Sequence, residues 1–261
     1  MKIYFKKYSG NGNDFVLLDN PSFEVTPQLV QGLCSRHFGV GGDGVLVWVP
    51  FHGNDGKMRI FNADGGEAEM CANGLRSLVT YIDSQVDAQK SSYKIKTMNS
   101  TYEVINQAGR FALEMAEIKD LGLYDLSFIK DFEKNFYVNT GVPHLVLLTK
   151  NLKDLDIKKW GAFYRYHEVF PSGVNVNFVE VLNNSEQKLS VRSYERGVED
   201  ETYSCGTGLV ASALALKEWN SWKGDVKLFT KGGEQFVTLG EKVFYSGEVK
   251  FCFEGEFLYE R

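Results

Sequence analysis

Apolar and polar positions alternate in short runs along most of this chain, and only a few stretches switch to helical spacing. Alternating or β-branched runs lie at Phe15–Leu18, Gly44–Val49, Lys57–Phe61, Ser92–Lys96, Tyr102–Ile105, Phe111–Met115 and Leu145–Leu148. They continue at Val174–Val181, Leu189–Tyr194, Asp225–Phe229, Gln235–Leu239, Lys242–Tyr245 and Glu248–Phe253. The opening Met1–Lys7 alternates like a further strand. Helical spacing covers Thr26–His37, whose Thr26-Pro27 start supplies a cap and then proline at the first helical position. It also covers Asn73–Asp83, Thr207–Trp219 and, more weakly, Asp154–Tyr164. The helices at Asn73 and Thr207 are apolar enough to be wrapped by a sheet. The predicted class is α+β and rich in strand.

The pattern also repeats. Ser9–Leu18 aligns with Thr140–Leu148 through Gly10 and Gly141, and Phe38–Val45 aligns with Phe170–Asn177. Met58–Asn62 aligns with Val191–Glu195, and Cys71 with Cys205. The separation grows by one residue from each anchor to the next, which predicts a duplicated unit of about half the chain with a site between the halves. The strand-poor stretch Glu117–Asp131 is the expected boundary. Since the second copy leaves residues over, the last strand is expected to return to the first half. The domains are therefore drawn as 1–116 plus 249–261, and 117–248.

At 261 residues the chain can hold two domains, and 43% hydrophobic with 24% charged residues is ordinary for a globular protein. A net charge of −5 with scattered basic residues gives no footprint for nucleic acid. No secretory signal, membrane span or disulfide framework is legible, so a cytoplasmic chain with reduced thiols and no membrane partner is expected. His37, His52 and His167 show no ligand spacing, and no metal site is expected.

The chemistry concentrates at two of four cysteines. Cys71 in Glu-Met-Cys-Ala-Asn-Gly-Leu-Arg and Cys205 in Tyr-Ser-Cys-Gly-Thr-Gly-Leu-Val each stand just before a helix. There the sulfur meets the unpaired N–H groups and the positive end of the macrodipole, which favours thiolate. Two equivalent cysteines suit a racemase or epimerase in which one sulfur takes a proton from a carbon and the other returns one from the opposite face. The N–H groups of Ala72, Asn73, Gly206 and Thr207 would then cradle a substrate carboxylate at the helix starts. Cys34, in an amphipathic helix, and Cys252, in the terminal strand, read as buried structural thiols.

The runs Asn62–Arg76 and Glu195–Gly208, the opening Ser9–Phe15 and Thr140–His144 together resemble the diaminopimelate epimerases over the whole chain. The resemblance implies two pseudo-symmetric strand-rich domains, each a barrel-like sheet around a central helix, with the active site in the interdomain cleft. It implies interconversion of LL- and meso-2,6-diaminopimelate, a step of lysine and peptidoglycan precursor synthesis, by Cys71 and Cys205 without pyridoxal or any other cofactor. Asn13, Asn62 and Asn175 match substrate-binding positions, although Asn177 lies on the same strand face as Asn175. Glu195 and Arg196 match the pair that holds the distal amino and carboxylate groups, and His144 and Glu195 match residues that tune the thiols. The expected partners are a small amino acid and a second copy of the chain, as a homodimer.

Val142, Gly44 and Ala72 depart from common family residues. They keep a racemase of histidine, proline or hydroxyproline open as the alternative, and more remotely a thiol redox protein. The adjacent Glu195-Arg196 favours the diamino diacid.

Overall fold

A computed structural model describes residues 1–85, 90–107, 109–115 and 118–259. The chain forms two compact units, Met1–Leu113 with Gly247–Arg261, and Glu114–Ser246. The expected junction between residues 116 and 117 lies outside the described residues.

The first unit runs β1 (Lys2–Gly10), β2 (Asn13–Asp19), α1 (Pro27–Cys34), β3 (Gly44–Val49), β4 (Gly56–Asn62), β5 (Glu67–Ala68), α2 (Ala72–Asp83), β6 (Ser92–Lys96), β7 (Thr101–Gln107) and β8 (Arg110–Glu114). The second runs β9 (Lys134–Asn139), β10 (Pro143–Leu148), α3 (Ile157–Arg165), β11 (Asn175–Asn183), β12 (Lys188–Glu195), β13 (Asp200–Thr202), α4 (Gly206–Asn220), β14 (Gly224–Thr230), β15 (Gly233–Leu239) and β16 (Val243–Gly247). The final β17 (Val249–Leu258) pairs antiparallel with β1.

The pairings recur in the same order. β1–β2 and β9–β10 are antiparallel, β2–β3 and β10–β11 parallel, β3–β4 and β11–β12 antiparallel. β4 then pairs in parallel with β6, and β12 with β14. Strand order and direction are thus duplicated, as the aligned sequence anchors imply.

Each unit wraps its sheet around one helix. α2 touches β1, β2, β3, β4 and β17, while α4 touches β9, β10, β11, β12 and β15. In α4 every residue from Gly208 to Leu216 is buried, so the helix needs no polar stripe. Its three leucines in that stretch contribute about 1.5–3 kcal/mol each by burial. The other helix of each unit lies on the far side of the sheet. Leu29, Val30, Leu33 and Cys34 of α1 pack with Val16, Leu18, Val45, Val47 and Phe61. Ile157 and Tyr164 of α3 pack with Leu145, Val176, Phe178 and Tyr194. β11 is consequently covered on both faces, with Asn175 through Val179 all buried.

Several local features differ from the sequence pattern. α1 stops at Cys34 rather than His37, because Ser35 turns to extended backbone and the Gly41 and Gly42 N–H groups reach back to the Leu33 and Cys34 carbonyls. The short strands β5 and β13 and the longer β9 lie outside the alternating runs; asparagines at 135 and 139 frame the short apolar run Phe136-Tyr137-Val138 of β9. Cys252 is exposed rather than buried. Lys7 pairs with Phe253 and Tyr8 with Phe251, so Cys252 is the extra residue of a β-bulge, in a stretch of β17 where residues 250–254 are all exposed. Among the described residues no helix is long and apolar enough to cross a membrane.

Candidate active-site residues

Tight turns and helix starts carry the candidate residues. The β1–β2 hairpin turns through Asn11 and Gly12, with φ of 52° and 88°, and delivers Asn13 as the first residue of β2. Asn-Gly suits such a turn because both positions need positive φ. The β9–β10 loop turns through Gly141, at φ 100°, and delivers His144 in β10. Cys71 caps α2 with extended backbone (φ −143°, ψ 121°), and Cys205 caps α4 in the same way (φ −111°, ψ 99°). Ala72 and Gly206 are the first helical residues, where N–H groups have no intrahelical partner.

Around Cys71 the polar side chains form an oriented network. Asn13 Nδ2 donates to Asp43 Oδ2 at 2.9 Å, and Asn73 Nδ2 donates to Asn13 Oδ1 at 3.1 Å. Arg76, fully buried, donates through Nη2 to Asn73 Oδ1 at 2.6 Å and to Asn11 Oδ1 at 3.0 Å. A carboxylate that only accepts and a guanidinium that only donates thus fix both amides between them. Asp14 anchors the base of this network: burial works to raise its pKa, but hydrogen bonds from Arg36 and Lys7 hold it well below the usual carboxylate range. Gly44 is required by close strand approach, since an added Cβ would lie 2.5 Å from the Phe61 carbonyl oxygen. Asn62 ends β4, exposed, where the Gly65 N–H closes a turn on its carbonyl.

Around Cys205 a second network runs inward. Its Sγ lies 3.6 Å from Thr207 Oγ1, which is 3.0 Å from His144 Nε2. His144 Nδ1 is 3.0 Å from Asn177 Nδ2, which also faces the Leu145 carbonyl at 3.4 Å. Ser193 Oγ donates to Asn177 Oδ1 at 2.8 Å, across the Asn177–Ser193 register pair of β11 and β12. Burial, with the charge of Arg196 adding to it, pushes His144 down to about 3, so the ring is neutral. Glu195 accepts from the Thr202 hydroxyl and is raised by burial, against the pull of hydrogen bonds with Thr202 and Cys205. Burial pushes the Cys205 thiol well above its ordinary value and the Glu195 charge adds to this, while the Thr207 hydroxyl and the Gly208 N–H pull the other way. The helix start alone would favour thiolate, but here burial outweighs it and the proton stays on sulfur.

Asn175 is also internal: its Nδ2 donates to the Pro143 carbonyl at 3.0 Å and its Oδ1 accepts the Arg196 N–H at 2.8 Å. The Arg196 guanidinium donates to the Ser172 carbonyl at 3.0 Å. Tyr245 backs the helix start, its ring 2.8 Å from where a Cβ on Gly206 would stand.

Within the repeat, Asn13 occupies the place of His144, and Asn73 that of Thr207. Both pairs are hydrogen-bonded, at 3.1 Å and 3.0 Å. The structure therefore gathers Asn13 and Asn73 by one cysteine helix, and His144, Asn175, Glu195, Arg196 and Thr207 by the other. Sequence patterns do not single out Asp43, Arg76, Ser193 or Thr202 as site residues. Only the same-face spacing of Asn177 from Asn175 offered a signal.

The chain is similar to known proteins over nearly its whole length. The family model described as diaminopimelate epimerase matches residues 5–116 and 136–252. A diaminopimelate epimerase of Flavobacterium psychrophilum is 34% identical, the match covering 97% of this chain and 99% of that protein. One from Archaeoglobus fulgidus is 36% identical over 98% and 96%. Among solved structures, a PhzF-family phenazine biosynthesis protein of Bacillus anthracis shares the fold at a TM-score of 0.73 and 15% identity, over 99% of this chain and 100% of that one. With its duplicated units, two capping cysteines and relatives alike from end to end, the chain belongs to the diaminopimelate epimerase family.

Proposed function

We propose that this chain interconverts LL- and meso-2,6-diaminopimelate by two-base proton transfer, with Cys71 and Cys205 as the catalytic pair. The observation that carries the reading is the equivalent capping of two buried helices by cysteine in a duplicated fold. One thiolate removes the α-hydrogen while the other, as thiol, protonates the opposite face, so the two act as a coupled pair. The first-turn N–H groups at Ala72, Asn73, Gly206 and Thr207 stabilise the charge that builds on the α-carboxylate. Asn13, Asn62 and Asn175 bind substrate, and Arg196 holds the distal carboxylate. Glu195 lies within hydrogen-bonding reach of Cys205 and tunes that thiol, besides meeting the distal amino group. No pyridoxal or metal is required by this scheme.

The proposal extends to a cytoplasmic homodimer, each chain of which divides into 1–116 with 249–261, and 117–248. Fractionation and sedimentation test the first two points, and limited proteolysis the third. Exchange of the α-hydrogen with deuterated solvent, over a panel of amino acids, tests the chemistry. Cys71→Ala and Cys205→Ala should each abolish exchange on LL-diaminopimelate, and the serine variants should be severely impaired. Near-wild-type turnover after either alanine change overturns the mechanism. Faster turnover of histidine or proline overturns the substrate alone.

A further inference from the structure

We propose that Asn177 is a positioning residue that fixes the tautomer of His144 and thereby directs the Thr207 hydroxyl onto the Cys205 sulfur. The inference deepens the reading of Cys205 as a catalytic thiol, and every residue in it belongs to the second unit.

The direction of the chain follows from one group that cannot switch roles. The Leu145 carbonyl only accepts, so the side of the Asn177 amide facing it at 3.4 Å is the NH2 group. The second hydrogen of that group points at His144 Nδ1, 3.0 Å away. Ser193 closes the other side by donating to Asn177 Oδ1 at 2.8 Å, and a flipped amide would set its oxygen against the Leu145 carbonyl oxygen. His144 Nδ1 therefore carries a lone pair, and in the neutral ring the proton sits on Nε2. That N–H donates to Thr207 Oγ1 at 3.0 Å. The Thr207 hydroxyl, now an acceptor from histidine, has its own hydrogen left for Cys205 Sγ at 3.6 Å.

Each link is buried or partly buried, and Asn177, His144 and Ser193 are all less than 5% exposed. In so dry a place the direction of a hydrogen bond has more weight than in water, because water cannot substitute for a misdirected donor. Gly208 packs against the same amide: an added Cβ would stand 2.2 Å from Asn177 Oδ1 and 3.2 Å from Cys205 Sγ. The helix start that holds the thiol is thus fitted to this asparagine. With the opposite tautomer, Nε2 would accept from Thr207, the hydroxyl would turn away from sulfur, and the thiolate would lose a donor. Glu195, which accepts from Thr202, offers Cys205 no replacement donor while ionised.

The test reads protonation directly and needs no substrate. In protein labelled with 15N-histidine, the ring nitrogens of His144 report the tautomer by NMR. In protein labelled at cysteine Cβ with 13C, assigned through Cys205→Ser, the Cys205 titration reports its ionisation. Wild type should show Nε2 protonated and Nδ1 bare. Asn177→Asp, whose carboxylate only accepts, should move a proton to Nδ1. The neutral Asn177→Leu should raise the Cys205 midpoint by about one pH unit, roughly a ten-fold loss of thiolate at fixed pH, from the loss of one directed donor. Ser193→Ala leaves the backbone pairing intact and should give a smaller rise in the same direction, which keeps the test alive if the Asn177 variants do not fold. A wild-type ring protonated on Nδ1, or a Cys205 midpoint unmoved in both neutral variants, overturns the inference. If instead the NMR results are as expected but α-hydrogen exchange is absent in wild type, the functional reading fails and the positioning role stands.

Discussion

Replacing Gly208 by alanine sets the two cysteine helices against each other, because Gly74 holds the equivalent place in the repeat, three residues past its cysteine. At Gly208 an added Cβ would lie 2.2 Å from Asn177 Oδ1, well inside ordinary contact, so the amide must retreat by ~1 Å or the helix start must shift. Retreat strains the bonds from Ser193 at 2.8 Å and to His144 at 3.0 Å. Two weakened hydrogen bonds cost about 0.5–1.5 kcal/mol each and the overpacking about 1–3 kcal/mol. Against this, alanine gains up to about 1 kcal/mol over glycine in a helix. The net is a destabilisation of roughly 3 kcal/mol. At Gly74 the added Cβ would meet Leu46 Cδ2 at 2.9 Å and Ile60 Cδ1 at 3.1 Å, the ends of side chains that can rotate away. There the small cost and the helix gain nearly cancel, to within about 1 kcal/mol. Urea unfolding of both variants measures the difference, and α-hydrogen exchange measures its effect on chemistry. A shift of ~1 Å at the Cys205 helix start should lower exchange about 10²-fold in Gly208→Ala. Gly208→Ala with wild-type stability and exchange, or Gly74→Ala equally damaged, would refute the reasoning.

Other outcomes are accessible with the same protein. Arg196→Met should lower catalytic efficiency with diaminopimelate by about ten- to a hundred-fold, through a charged contact left unmade, while Cys205 still titrates as in wild type; unchanged efficiency removes Arg196 from the substrate. His144 is held neutral down to about 3 from an ordinary 6.5, so the stability it contributes is complete above about 6.5 and drains as pH falls toward 3. The wild-type unfolding free energy should therefore fall more steeply than that of His144→Gln by about 1.4 kcal/mol per pH unit in this window, and parallel curves would contradict a buried neutral ring. Burial pushes Cys34 up to about 11, whereas Cys252 is exposed on its bulge. At pH 8, peptide mapping after brief alkylation should find Cys252 modified well before Cys34; early loss of Cys34 would mean that the core around α1 opens readily.

Much of the architecture was legible because its causes are local. Strands announced themselves by alternation, α1 by Thr26-Pro27, and the first hairpin by Asn11-Gly12. The duplication showed through glycines and cysteines whose backbone roles recur. β9 and the bulge at Cys252 were not legible, since a six-residue strand framed by asparagines and a one-residue slip in pairing both depend on the neighbouring strand. The site divided along the same line. Residues on sharp turns and helix starts, such as Asn13, Cys71, His144 and Cys205, could be picked from pattern and resemblance. Asp43, Arg76, Ser193 and Thr202 could not, for each acts on another side chain rather than on the backbone of its own segment.

That division bears on what the repeat has kept and what it has changed. Backbone order, the capping cysteine and a hydrogen bond to the residue two places beyond it are common to both units. What stands behind that bond differs. In the first unit it ends on a buried guanidinium, Arg76, which donates under all conditions. In the second it ends on a neutral imidazole whose donor is set by Asn177 and Ser193. An arginine fixes a charge, while a buried histidine fixes only a direction. The first arrangement holds Asn73 and Asn13 as permanently oriented amides, suited to binding. The second ends on sulfur through a hydroxyl, where reversing one tautomer would change whether the thiolate is supported. The same order of strands thus presents a rigid polar surface beside Cys71 and a directional hydrogen-bond chain onto Cys205. The side chains behind them, together with the deeper burial of Cys205, distinguish the two thiols.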